Sequence, residues 1–270
     1  MKLSAVVCAH NEEARIAECL ERLSFCDEVI VVADRCKDRT QKIALQHGAL
    51  VIPGIFPLES QRKDAGVAAC SGEWILEVDA DEHIDPELGD EIRRAIANPA
   101  DWFQIPVDNY VGRKLVRYGW GGAFGTSSVG RLYRRGIKHW KPERVHPGVT
   151  FDGRFGGVLK TPMRHQVDED IGDMMDRLKR YTALRAADLA DRNAPGELWD
   201  EVFRGFRRFW KCYVRRKGHR EGGLGFLIAL MAGLYPVLSH LRAQEILEAR
   251  SEGVAAQTVT GLEDRLEAAR

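Results

Sequence analysis

Three features of the sequence predict an α/β fold, with a mostly parallel sheet covered by helices on both faces and a helical C-terminal extension. Over residues 1–100, short apolar runs alternate with amphipathic stretches. Acidic or amide residues stand just beyond the first, second and fourth of those runs. From Ile171 onward the apolar spacing becomes helical and the charge becomes basic. A β-α-β-α order implies parallel strands joined by crossover helices.

The elements follow in order. Leu3 to Ala9 (LSAVVCA) is a continuous apolar run, as expected of a strand buried on both faces. Asn11 is placed to cap a helix carrying Ile16, Leu20 and Leu23, with Glu12 and Glu13 in its first turn. Glu28 to Ala33 (EVIVVA) is the second strand, ending at Asp34, and Asp38 or Thr40 caps the helix that stops at Gly48. Ala49 to Ile52 gives a short third strand, and residues 60–71 (SQRKDAGVAACS) a small-residue helix ending at Gly72. Trp74 to Val78 is the fourth strand, closed by the acidic DADEHIDPEL. After Asn98-Pro99 the sequence is rich in Gly, Trp, Tyr and Arg, with short extended runs and many turns. Ile171 to Asn193 and Leu198 to Lys217 read as amphipathic helices, and GHREGGLG leads into an apolar segment at 224–238. The last twenty residues read as a polar, frayed helix. The expected organisation is one domain in two halves, 1–100 and 101–168, followed by the extension 169–270.

The formal charge is zero but unevenly spread: 11 Lys+Arg against 19 Asp+Glu in residues 1–100, and 29 against 21 beyond. That asymmetry implies different partners for the two ends. The six cysteines show no CxxC pair and no zinc-like spacing, which fits free thiols in a reducing cytosol. The apolar run in MKLSAVVCAHNEE is too short for a signal peptide. The 224–238 segment falls short of the roughly 20 residues of a spanning helix.

Asp79-Ala80-Asp81 follows the fourth strand. Side chains at i and i+2 leave a strand on the same side, so the two carboxylates are expected to converge on a hard divalent cation, Mg²⁺ or Mn²⁺. The competing reading is an exposed acidic turn. Asp34 ends the second strand, and Ala9, His10, Asn11 and Glu12 end the first. All lie at the sheet edge where parallel α/β proteins bind ligands. Asp34 is suited either to accept from the imide edge of a uracil or thymine, or to cap a helix. Arg62 and Lys63 open the helix before the fourth strand, as cationic donors for a diphosphate or as a solvated face.

AVVCAHNEEARIAECLERL, DEVIVVADRCKDRT and QRKDAGVAACSGEWILEVDADE, in that order, resemble the nucleotide-binding half of family 2 glycosyltransferases of the Rossmann-like GT-A fold. The resemblance implies that Asn11 and Glu12 line a uridine or phosphate pocket, that Asp34 contacts the base, and that Asp79 and Asp81 serve the DxD role. Asp64 stands where such sequences often have Asn. GRKLVRYGWGG, RLYRRGIKHW, ERVHPGV and GGLGFLIALMAGLY resemble the subgroup containing lipopolysaccharide core glucosyltransferases acting on heptose. What this implies is inverting, metal-dependent transfer from a nucleotide-sugar to a glycolipid or polysaccharide of the cell envelope. That subgroup commonly reads Val-His-Glu, whereas here Pro147 follows His146 and Glu143 lies upstream. Glu143, His146 and Asp108 are the candidate catalytic bases. A nucleotidyltransferase, or a nucleotide-sugar-binding protein without turnover, is the alternative. Trp120, in Gly119-Trp120-Gly121-Gly122, is read either as core or as a platform for a sugar.

Between Arg204 and Arg220 stand eight Lys+Arg, interleaved with Phe203, Phe206, Phe209 and Trp210. That composition suits a helix lying on an anionic membrane, or one packed on the catalytic domain with its cations solvated. The expected location is therefore cytoplasmic, peripheral on the inner face of the cytoplasmic membrane. No RNP-type or helix-turn-helix pattern is present, so nucleic acid is not an expected partner.

Overall fold

The computed structural model describes residues 1–120, 128–141, 148–192 and 196–251. Strand β1 (Leu3–Ala9) sets the two-sided core, because its side chains alternate. Leu3, Ala5, Val7 and Ala9 join Ile16, Leu20 and Leu23 of the segment around α1 (Ile16–Glu21). Val6 joins Ile30, Val32 and Ile75 on the opposite face. Complete burial of side chains such as Leu3, Ile16, Leu23 and Ile75 contributes roughly 1.5–3 kcal/mol each.

The following elements are β2 (Glu28–Asp34), α2 (Thr40–Gln46), β3 (Leu50–Gly54), α3 (Glu59–Ala69) and β4 (Trp74–Asp79). Strands β3, β2, β1 and β4 are neighbours in that order and all parallel, as the alternating pattern predicts. The small residues of α3 have a packing reason. A Cβ on Gly66 would lie 2.5 Å from Val6 Cγ1 and 2.9 Å from Val32 Cγ2, so only glycine lets the helix seat this close to the sheet.

Beyond β4 come β5 (Glu82–His83), α4 (Pro86–Ala95), β6 (Trp102–Val111), β7 (Lys114–Val116), β8 (Ser128–Arg134), β9 (Lys138–Trp140), β10 (Val149–Phe151), β11 (Phe155–Val158) and β12 (Met163–Asp168). The helix α4, with Pro86 in its first turn, occupies residues the acidic composition had suggested only as a closing segment. The sheet continues from β4 through β8, β6 and β12 to β5, with β8 antiparallel to both β4 and β6. β12 and β5 pair antiparallel, Arg164 with His83 and His165 with Glu82.

The chain divides into two compact units, Met1–Tyr110 with Ser127–Val167 and Val111–Thr126 with Asp168–Arg270. The second is built on α5 (Ile171–Asp191), α6 (Leu198–Trp210) and α7 (Gly222–Ser251), with a π-helical turn at Lys211–Arg215. The expected apolar segment is thus part of one 30-residue helix that contains Pro236 and runs on to Ser251, while the polar tail expected beyond it lies outside the described residues. Packing carries it onward: Ser239, His240 and Ala243 are buried, and Arg242 bonds Lys179 O and Thr182 Oγ1 of α5. Gly218–Ser251 is long and apolar enough to span a membrane, yet half of its most apolar window is buried inside the protein.

Candidate active site

The carboxyl ends of β1, β2 and β4 lie side by side, Cys8 pairing with both Val32 and Asp79. At the tip of β1, Asn11 takes φ 56°, the left-handed region that non-glycine residues rarely adopt. It therefore does not cap α1, which starts five residues later with Arg15 at its cap position. Instead Asn11 Oδ1 accepts the Lys37 N–H at 2.8 Å, and Thr40 Oγ1 accepts the Glu12 N–H at 2.7 Å. His10 Nδ1 lies 2.6 Å from Asp34 O. A carbonyl only accepts, so that nitrogen donates, and His10 ties the first tip to the second.

At the second tip Asp34 is 4% exposed. Arg35, also left-handed at φ 52°, grips its carboxylate with a fork of 3.0 and 2.9 Å, and the Phe56 N–H donates to it at 3.1 Å. Arg62 approaches to 3.8 Å and also feels the charge of Asp79, which helps to keep its pKa above the ordinary value against burial. Its Nε is buried with no partner among the described residues. Arg62 thus links the tips of β2 and β4. Lys63, by contrast, is buried beneath the site, 3.3 Å from Glu77 and 3.9 Å from Asp79. Asp64 is exposed.

At the third tip β4 ends at Asp79, so Ala80 and Asp81 form a turn into β5. Strand alternation therefore does not govern the two aspartates, and each has its own partner. Asp79 is ion-paired with Arg131, whose guanidinium also lies 2.9 Å from Glu82 and 3.6 Å from Glu77. Burial raises the pKa of Asp79, but Arg131 and then Lys63 outweigh it and hold the carboxyl well below the usual range. Glu77 sits in the middle of the apolar strand. Burial is overcome there by Lys138 at 2.7 Å, Lys63 and Arg131, and the pKa falls to about 2.

Asp81 Oδ2 lies 3.4 Å from His165 Nε2, on β12. His165 Nδ1 is 3.1 Å from Asn109 Oδ1, an acceptor, so Nδ1 carries a proton and Nε2 is left to face Asp81. Burial opposes charge on His165, but Asp81, Glu82 and Asp79 raise its pKa above the ordinary value. Glu12 joins the same group: burial first, then Asp81, with smaller contributions from Asp38 and Asp79, push its pKa up to about 7, with Arg15 opposing. The structure thus brings Glu12, Asp34, Arg62, Asp79 and Asp81 to one edge, with Asn11 and the backbone of Ala9 beside them.

Other expectations fare differently. Asp108 lies on β6 next to Asn109, so alternation puts it on the face opposite the one that meets His165. Glu143 and His146 lie outside the described residues. Trp120 is buried and its indole N–H donates to Val116 O at 2.5 Å, so it is a packed side chain and not a sugar platform. Sequence reasoning did not single out Arg131, His165, Asn109, Glu77 or Glu82. Glu77 carried a readable signal, a lone acid inside a buried strand that requires a cationic partner.

Among the described residues no group of three or more His, Cys, Asp or Glu side chains is placed to hold a metal by itself. Asp81 and His165 offer an oxygen and a nitrogen, with Asp79 adjoining. Mg²⁺ and Mn²⁺ commonly take one or two carboxylates and complete their shell with substrate phosphates and water, and the donor set fits that use.

Residues 4–150 match the family described as Glycosyl transferase family 2. The "Lipopolysaccharide core biosynthesis glycosyltransferase LpsC" of Rhizobium meliloti (strain 1021) is 25% identical over 252 residues, covering 88% of this chain and 90% of that protein. An "Uncharacterized glycosyltransferase" of Rickettsia felis is 40% identical over 98 residues, 36% of this chain and 35% of that protein. Among solved structures, S. aureus TarS 1-349 in complex with UDP-GlcNAc is similar over 94% of this chain and 92% of that one, at 16% identity and a TM-score of 0.48. The family match spans more than half of the sequence, and the chain belongs to glycosyl transferase family 2.

Proposed function

We propose that the protein is an inverting, metal-dependent glycosyltransferase that moves a sugar from a UDP-sugar to a cell-envelope acceptor, a glycolipid or polysaccharide such as lipopolysaccharide core. It works at the inner face of the cytoplasmic membrane. The observation that carries the reading is the meeting of the β1 and β4 tips at the Asp81–His165 pair, with Asp34 of the β2 tip tied to them through His10 and Arg62. The likeness to LpsC supports the acceptor class.

Asp34 and Arg35 support the choice of base. An acceptor beside a donor matches an imide edge, whose N–H is flanked by carbonyls, better than the adjacent donors of guanine. Arg62 at the rim is the cation placed to meet a diphosphate, while Lys63 acts from below by keeping Asp79 ionised. Asp81 and His165 would hold Mg²⁺ or Mn²⁺, which supplies neutralisation of the charge that develops on the leaving diphosphate. Asn109 fixes the ring of His165 for that task. A base takes the proton of the acceptor hydroxyl as it attacks the anomeric carbon opposite the diphosphate, a contribution of about 10²–10⁴-fold. Glu143 and His146 are the proposed bases, since Asp108 stands on the other face of β6.

Asp81→Ala tests the reading. Hydrolysis of a UDP-sugar in the presence of Mn²⁺ is expected to fall on the order of 10²–10³-fold, equivalent to several kcal/mol of transition-state stabilisation. Unchanged, metal-independent hydrolysis would overturn it.

A further inference from the structure

We infer that the outer face of α6, continued by the first turns of α7, is a docking surface for an anionic phospholipid bilayer, holding the protein at the interface without spanning it. The inference rests on the glycosyltransferase reading for its purpose, but the surface lies wholly within the helical unit.

Trp199, Phe203, Phe206 and Trp210 recur at spacings of four, three and four, which places them in one stripe of α6. Aromatics so spaced ordinarily face a core. Here they are 77, 63, 62 and 51% exposed. The buried side of the helix carries Glu201 and Gly205 instead. Gly205 meets α7 so closely that a Cβ on it would lie 2.5 Å from Gly233 O, so the contact between the helices is made by backbone and small residues. On α7, Phe226, Leu230 and Leu234 are exposed at spacings of four. Phe226 packs against Phe209 and Tyr213, each with ring centroids 5.8 Å away, so the exposed stripe of α7 adjoins α6. Contiguous apolar surface of this kind marks an interaction site.

Charge selects the occupant. Arg207, Lys211 and Arg215, spaced by four, are exposed beside the aromatic stripe, and none pairs with a carboxylate among the described residues. Lys217 is likewise exposed. Residues 211–220 contain no acid at all. A second copy docking through the same face would set these cations against one another across a two-fold axis. An anionic headgroup layer matches them, while aromatic rings settle at the boundary between headgroups and acyl chains. Spanning is disfavoured because α7, the one sufficiently apolar helix among the described residues, is half buried against its neighbours.

The test is co-sedimentation of the full chain with vesicles, without donor or acceptor. Vesicles of phosphatidylcholine mixed with phosphatidylglycerol are expected to carry the protein down, with binding weakened by salt, and phosphatidylcholine alone to carry far less. Changing Trp199, Phe203, Phe206 and Trp210 together to Ser abolishes binding to both. The triple change Arg207→Gln, Lys211→Gln, Arg215→Gln weakens binding to the anionic vesicles by about fivefold per cation. Thermal melting and UDP-sugar hydrolysis in solution stay unchanged in both variants, which separates failure of docking from failure of the catalytic reading. Equal sedimentation of the Ser variant overturns the inference. So does a wild-type dimer in light scattering that the Ser variant converts to monomer while vesicles bind neither.

Discussion

The edge of the parallel sheet and the outer face of α6 use the same residue types in opposite ways. Around Asp79, three acids and three cations are paired, with Glu77, Glu82, Lys63 and Lys138 buried and Asp79 and Arg131 partly so: Lys63, Arg131 and Lys138 lie within 3.6 Å of Glu77, and Arg131 also holds Asp79 and Glu82. On the outer face of α6 and the turn after it, Arg207, Lys211 and Arg215 stand exposed beside exposed rings with no carboxylate partner among the described residues, whereas Arg204 is tied to Glu201. The difference is solvent. A charge taken out of water is tolerated only with a partner, so pairing at the sheet edge is obligatory and fixes geometry. A charge left in water gains little from pairing and stays available for an external anion. Mutations should therefore separate the regions by stability before any activity is measured.

The largest effect is expected at Arg131. Arg131→Met leaves Glu77, Asp79 and Glu82 short of a buried cation, and urea unfolding should show a loss of about 3–5 kcal/mol. A variant as stable as the parent would mean that the carboxylates are hydrated, and the contrast between the two regions would fail. Next comes Asn109→Ala, which removes the acceptor that orients His165. Binding of Mn²⁺, followed by titration, should weaken by about 10–100-fold, with the fold retained. Unaltered affinity would remove His165 from the proposed ligand set.

The parallel half of the sheet was legible because each strand is a local apolar run and each helix a local period, from LSAVVCA to WILEV. Asp34, Asp79 and Asp81 were legible because they end such runs. What was not legible depends on pairing far along the chain. His165 reaches Asp81 only because β12 lies against β5, and Arg131 reaches Asp79 because β8 is antiparallel to β4. Nothing local in RLYRR or MRHQVD announces either partner. The N-cap assigned to Asn11 failed for a related reason, since its side chain is drawn to the Lys37 N–H across the strand tips. The exposure of the α6 aromatics was similarly hidden, because helical spacing gives a stripe but not which way it faces.

A smaller effect concerns Glu12, whose pKa is raised from 4.5 to about 7. The folded state holds this proton more tightly than the unfolded chain, so the favourable contribution is full below pH 4.5 and is lost as pH rises through about 7. Glu12→Gln should flatten that part of the curve of melting temperature against pH, leaving the variant relatively more stable near pH 8. If wild type and variant keep parallel curves, Glu12 titrates as a solvated acid, and the β1 and β4 tips do not meet as closely as Asp81 and Asp79 require.

The smallest effect is the most pointed. Arg207→Gln removes a full charge from α6, yet its stability should stay within about 0.5 kcal/mol of the parent in urea, because no described carboxylate loses a partner. At the sheet edge a single lost cation costs several times more. The size of the change thus reports whether a cation is held by the protein or offered to something outside it. A loss above about 1 kcal/mol would show that Arg207 is tied into the fold, since exposed pairs seldom contribute more. The helix would then have fewer free charges than an anionic surface requires, and the distinction between paired and offered charge would have to be drawn further along, at Lys211 and Arg215.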